Sequence, residues 1–175
     1  MTAMTTTLRQ PLAIDDLLLY RFSHALSVGG SSVIRLCEGR FGITRREWRV
    51  IASLQPGTDM ASSDLAVHTQ LDRARTSRCI TSLVTKGLLD RQTVASDLRR
   101  ATVRLTDKGQ QLYETLFPLV VQLNAQLVQT LTDEELAVLD KALTAIQKQA
   151  ENLLGQEDLP KANRRRGGRS RHPMG

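Results

Sequence analysis

The chain has 175 residues, 41% hydrophobic and 24% charged, the make-up of one ordinary globular domain rather than a fibre or a wholly disordered chain. Aromatics are only 3%, with a single tryptophan, so the core must be built from Leu, Val, Ile and Ala, and a mainly α protein is expected. The net charge of +6 is misleading: residues 161–175 hold six basic side chains and no acid, so the first 160 residues sum to zero.

Within that neutral body, residues 72–108 carry nine basic against four acidic side chains, whereas 109–160 carry two against eight. Basic charge gathered on one segment is the expected footprint of a protein that meets phosphates. Cys37 and Cys79 stand apart from each other and from any histidine at metal-ligand spacing, so neither a disulfide framework nor a metal site is expected. A leader-like N-terminus and an apolar run of membrane-spanning length are both missing from the pattern, which predicts a soluble, cytoplasmic protein without a membrane partner. No nucleophile beside a base, phosphate loop or acid pair is found, so no catalytic residues, cofactor or enzyme activity are expected.

Residues 1–11 read as a disordered N-terminus ending at Pro11. From Leu12 a helix is expected to run to about residue 40, with Gly29 and Gly30 bending or unwinding its middle, because each interior glycine costs about 1 kcal/mol relative to alanine. Thr44 and Glu47 form a capping box for a short second helix carrying Trp48, Ile51, Ala52 and Leu54 on its apolar stripe. Pro56 and Gly57 end it.

Ser62 to Val67 reads as a third helix of barely two turns, and Asp72 as the N-cap of a fourth that reaches Lys86, with Gly87 at the position that tolerates a left-handed backbone. On a 100° wheel, Thr76, Cys79, Ile80, Leu83, Val84 and Gly87 share one side of this fourth helix; Ala74, Arg75, Arg78, Thr81, Ser82 and Thr85 share the other. Small residues with two arginines make a surface able to enter a major groove, where arginine reads guanine through a bidentate pair. LLDRQTV and ATVRLT then read as a hairpin whose tip bears Asp97, Arg99 and Arg100, Asp97 shaping the tip by pairing with an arginine.

Thr106 opens a fifth helix with Leu112, Leu116, Leu119, Val120, Leu123 and Leu127 at helical spacing and a kink expected at Pro118. Thr132 and Glu135 make a second capping box, after which Leu136, Leu139, Leu143, Ile146, Ala150 and Leu153 form a heptad seam suited to dimerisation. Residues 155–175 read as a disordered basic tail, serving either nonspecific DNA affinity or solubility.

Asp97 to Gly109, DLRRATVRLTDKG, resembles the wing signature of the MarR family of winged-helix repressors, D-x-R-x-x-x-V-x-L-T-x-x-G, matching at Asp97, Arg99, Val103, Leu105, Thr106 and Gly109. TRREWRVIASL, Leu65–Ala66 and the KGLLDR turn add to the likeness, which covers roughly Leu12 to Leu154. The resemblance implies a winged helix-turn-helix domain over 41–105 with a small β-hairpin wing. It also implies an intertwined homodimerisation domain from residues 12–40 and 106–154, in which Leu12, Leu136, Leu139, Leu143, Ile146 and Leu153 take part.

By the same resemblance the recognition helix offers Arg73, Arg75, Thr76, Ser77 and Arg78 to double-stranded DNA, with Ser82 added from the wheel, and Arg99 and Arg100 sit on the wing. The wheel turns Thr76 toward the interior. A repressor released by a small aromatic carboxylate is implied, for which Arg21, Ser23 and His24 on the first helix and Arg46, Trp48 and Arg49 on the second are the candidates. Trp48 also reads as a core residue. Two alternatives stand beside this reading: redox sensing through Cys37 or Cys79, and a helical protein-interaction scaffold with incidental nucleic-acid affinity.

Overall fold

The computed structural model describes residues 7–54, 56–94 and 97–156. The expected disorder of residues 1–6 and the basic tail from residue 157 lie outside these, as do the side chains of 93–100. The chain divides into two units, one through Gln129 and one from Thr130.

The first unit begins with a 3-10 turn at Ile14–Asp16, and only then with helix α1, Leu18–Phe41. The helix was expected from Leu12. Instead the Asp16 carboxylate accepts hydrogen bonds from the backbone N–H groups of Leu12 and Ala13, both at 3.0 Å, a local side-chain bond that competes with helix formation. Leu12 therefore lies in a turn and not on a helical dimer face. The unwinding expected as one outcome at Gly29 and Gly30 does not occur, and α1 runs through both. Their role is close approach: the Leu127 side chain lies over Gly29, and the Arg45 guanidinium occupies the space a Cβ on Gly30 would need.

Gly42, at φ +63°, ends α1 in the left-handed conformation that spares glycine a steric cost. Helix α2, Arg45–Ser53, then starts on the expected capping box: Glu47 N–H donates to Thr44 Oγ1 at 3.2 Å and Thr44 N–H to Glu47 Oε2 at 2.6 Å. A two-residue strand β1, Met60–Ala61, follows, then α3, Ser62–His68, and α4, Arg73–Thr85. Asp72 caps α4 by accepting from Arg75 N–H at 2.7 Å. Strands β2, Leu89–Val94, and β3, Asp97–Leu105, form the hairpin. The sheet order is β1-β3-β2, all antiparallel, with Met60 opposite Val103 and Leu89 opposite Leu105.

Helix α5, Asp107–Val128, runs unbroken through Pro118. Thr106 makes the joint that starts it. Its hydroxyl donates to Gly87 O at 2.7 Å and accepts from Gly109 N–H at 3.1 Å, while its own N–H donates to Leu88 O at 3.2 Å. Gly109 is required there, because a Cβ would run into the Leu88 carbonyl. One core unites this unit: Ile43, Trp48, Ile51, Leu54, Leu65, Ile80, Leu83, Leu88, Val103 and Leu116 are buried together, with Val33 and Leu36 of α1 and Leu112 and Val120 of α5 packed against them. The second unit is helix α6, Asp133–Gln156, capped by Thr132 and Glu135 as expected. No described residue of α6 is buried.

Candidate nucleic-acid interface

Helix α4 divides as the wheel predicts. Thr76, Cys79, Ile80 and Leu83 are buried against the core, which leaves Arg73, Ala74, Arg75, Ser77, Arg78, Thr81 and Thr85 exposed. Val84 is an exception on the apolar side, being exposed. Two residues leave the set of expected DNA contacts. Thr76 is 2% exposed, and its hydroxyl donates to Asp72 O at 3.1 Å. Ser82 is half-buried and donates to Glu47 Oε1 at 2.5 Å, because at that point α4 leans on α2 rather than on solvent. Arg75 stays on the outer face, its Nε 3.2 Å from the Asp72 carboxylate.

Side chains from other elements extend this face in two directions. Arg46 of α2 joins Arg75 and Arg78 around a hollow of about 260 Å³ that Thr44 and Cys79 also line. On the other flank, Arg91 of β2 joins Arg73, Ser62, Ser63 and Ser77 around a second hollow of about 260 Å³. Arg91 was not singled out by its sequence, although alternation from buried Leu89 places it on the strand face that meets the helices. Its partner across the ladder is buried Val103. Ser62 is fixed by donating to Ala101 O at 3.1 Å, tying α3 to β3. Asp97, Arg99 and Arg100, expected at the tip between the two strands, lie on β3 itself, which begins already at Asp97; their side chains are outside the described residues. The described ion pair of the hairpin is a different one, Asp90 with Arg104 at 3.1 Å.

Glu47 is an acid that lines the Arg46–Arg75–Arg78 hollow, and it is spent internally. Only 3% exposed, it accepts from the Thr44 N–H, Ser82 Oγ and Lys86 Nζ, the last at 3.0 and 2.9 Å. Burial pushes its carboxyl up, but the hydrogen bonds from Ser82, Thr44 and Lys86 outweigh this and hold it below the usual range. The face that solvent meets is correspondingly cationic.

The six expected effector residues do not converge. Arg21 and His24 border a surface hollow near the start of α1, with Asp15, Tyr20 and Ala25, and Ser23 is exposed. Trp48 is buried, its ring stacked on Tyr113 at 6.0 Å; Tyr113 in turn stacks on Phe117 at 5.3 Å. Arg49 Nη1 donates to the Thr69 carbonyl at 3.1 Å, bracing α2 against the end of α3. A separate crevice of about 520 Å³ opens between α1 and α5, lined by Ser32, Arg35, Leu36, Arg40, Leu119, Gln122, Leu123 and Gln126 among others. Spacing on one helix cannot reveal it, since half of its wall comes from α5.

Cys37 and Cys79 are both buried free thiols. Burial pushes both up, away from the thiolate form that a redox sensor needs. Among the described residues no helix is long and apolar enough to cross a membrane, and no group of three His, Cys, Asp or Glu could hold a metal ion.

Residues 41–100 match the model of the MarR family, MarR_2. The fold is shared with solved transcriptional regulators. The transcriptional regulator PA4135 is 26% identical with a TM-score of 0.65, over 75% of this chain and 96% of that one. MepR of S. aureus, solved as a DNA complex, is 23% identical with a TM-score of 0.69, over 76% and 98%. BpsR of Bordetella bronchiseptica, whose DNA binding is regulated by 6-hydroxynicotinic acid, is 20% identical with a TM-score of 0.62, over 73% and 98%.

Proposed function

We propose that the chain, whose residues 41–100 match the model of the MarR family, is a dimeric, sequence-specific DNA-binding repressor of that family. The observation that carries this reading is the cationic face of α4. Arg75 and Arg78 stand one turn apart on an exposed surface of small residues, flanked by Arg46 on one side and by Arg73 and Arg91 on the other. Arginines three apart on a helix share a face, and small neighbours let the helix approach base edges. Ser77 adds a hydroxyl to the same surface, and the backbone of Arg99 and Arg100 on β3 carries two further cations to the wing.

Selection of duplexes from a random library, followed by gel shift in the presence of competitor, tests the reading. A repressor yields a preferred inverted-repeat sequence that resists competitor; equal, salt-sensitive binding to all sequences would leave only a scaffold with phosphate affinity. Arg75→Ala and Arg78→Ala should each lower binding to the selected duplex by about 1–3 kcal/mol more than binding to a scrambled one.

The dimer follows from α6, whose heptad positions Leu139, Leu143 and Leu153 are 40%, 43% and 44% exposed. A seam of that spacing is stable only when covered. The effector is a small aromatic acid, as 6-hydroxynicotinic acid is for BpsR. The α1–α5 crevice suits it, with Arg35 and Arg40 for a carboxylate and Leu36, Leu119 and Leu123 for a ring. Aromatic carboxylates should raise the melting temperature and release the selected duplex, and Arg35→Ala should abolish both effects.

A further inference from the structure

We infer that Glu47 is a positioning residue for DNA reading: with half-buried Ser82 and Lys86 it forms a joint that sets the angle at which α4 presents Arg75 and Arg78. This rests on the DNA-binding reading for its consequence, but the joint itself is a matter of geometry. The Glu47 carboxylate accepts from Ser82 Oγ at 2.5 Å and from Lys86 Nζ at 3.0 and 2.9 Å, and so holds two points one turn apart on α4.

Lys86 is itself held from three sides. Its Nζ also donates to Gly42 O, at the left-handed end of α1, at 2.9 Å, and its carbonyl accepts from Lys108 Nζ of α5 at 3.0 Å. The C-terminal end of α4 is thereby fastened to α1, α2 and α5 at once, while the arginines lie toward its other end. A helix of 13 residues is about 20 Å long, so a small change of angle at the joint displaces Arg75 by more than a hydrogen bond tolerates. Phosphate contacts forgive such a displacement because long cationic side chains adapt; bidentate base contacts do not. Loosening the joint should therefore erode discrimination between sequences ahead of affinity for DNA in general.

Two readouts test this, and one needs no DNA. Glu47→Gln, Lys86→Gln and the double variant are compared with Thr44→Ala, which removes the helix cap of α2 but leaves the Glu47–Lys86 contact. Each is made in a Cys37→Ala background so that Cys79, buried on α4, is the only thiol. The joint variants should lower the ratio of affinities for the selected and a scrambled duplex about tenfold, with the double variant no worse than either single, the mark of one shared interaction. They should also speed thiol labelling of Cys79. Thr44→Ala should lower the melting temperature while leaving the ratio unchanged.

Joint variants that lose thermal stability but keep the wild-type ratio and labelling rate would overturn the inference and leave Glu47 a helix cap alone. If the wild type selects no duplex at all, the DNA-binding reading falls, and faster Cys79 labelling in the joint variants still decides whether α4 is held by this contact.

Discussion

The winged segment and helix α6 are comparably rich in leucine-type residues, yet they differ completely in what covers them. In the former, apolar residues from three helices and two strands bury one another, with Ile51, Leu54, Leu65, Leu83 and Val103 reduced to almost no solvent contact. In α6, apolar residues recur on one stripe and every described side chain retains solvent exposure or is only half-buried. The contrast separates two kinds of stability. One lobe draws on its own tertiary packing; an uncovered amphipathic helix draws on whatever partner closes over its stripe.

The sharpest way to break the comparison is to charge the α6 stripe. Leu139→Asp with Leu143→Lys should convert the proposed dimer to monomers and weaken binding to a two-half-site duplex by at least about 100-fold, the loss expected when tethering no longer raises the effective concentration of the second lobe. Sedimentation measures the first effect and gel shift the second. Emission from Trp48, the single tryptophan and a core residue of the lobe, should stay unchanged. A dimer that survives both charges would show that the seam lies elsewhere.

Gly109→Ala attacks the other region. The added methyl meets the Leu88 carbonyl, a backbone atom that cannot swing aside, so the lobe should lose about 1–3 kcal/mol in denaturant titrations, the usual cost of overpacking. Trp48 emission should follow this transition. An undiminished midpoint would mean that the start of α5 is not held against the β2 end as described.

The smallest effect concerns acid. Because the folded Glu47 carboxyl sits below its usual range, the stability it contributes is present above the unfolded-state pKa and drains away as the pH falls through the folded value. Glu47→Gln should therefore flatten the acid limb of the stability curve of the winged lobe while leaving the neutral-to-alkaline limb parallel to wild type. Equal acid slopes in the two proteins would show that the carboxylate is not preferentially stabilised in the folded state.

Helix starts were readable from sequence wherever the cap was local. Thr44–Glu47, Asp72, Thr106 and Thr132–Glu135 each satisfy orphan backbone N–H groups within one turn, and residue spacing encodes that directly. The same is true of the two faces of α4, since its periodicity alone sorts Ile80 and Leu83 from Arg75 and Arg78. Strand β1 escaped because two residues are too few to show alternation; it exists only because β3 offers an edge to pair with. Gly29 and Gly30 misled for a related reason. Intrinsic propensity marks a weak helix, whereas packing uses the missing side chains to admit Leu127 and Arg45.

By itself, then, the chain determined its caps, its stripes, the basic character of its middle segment and the signature through Thr106 and Gly109, all of which depend on contacts within a few residues. Tertiary structure alone decided that Arg46 and Arg91 border the α4 face, that Ser82 turns to Glu47, and that two arginines of α1 meet leucines of α5 across a crevice. The physical reason is distance along the chain: a Glu47–Lys86 contact spans 39 positions, and no local preference specifies which buried charge will find which partner once the core has closed.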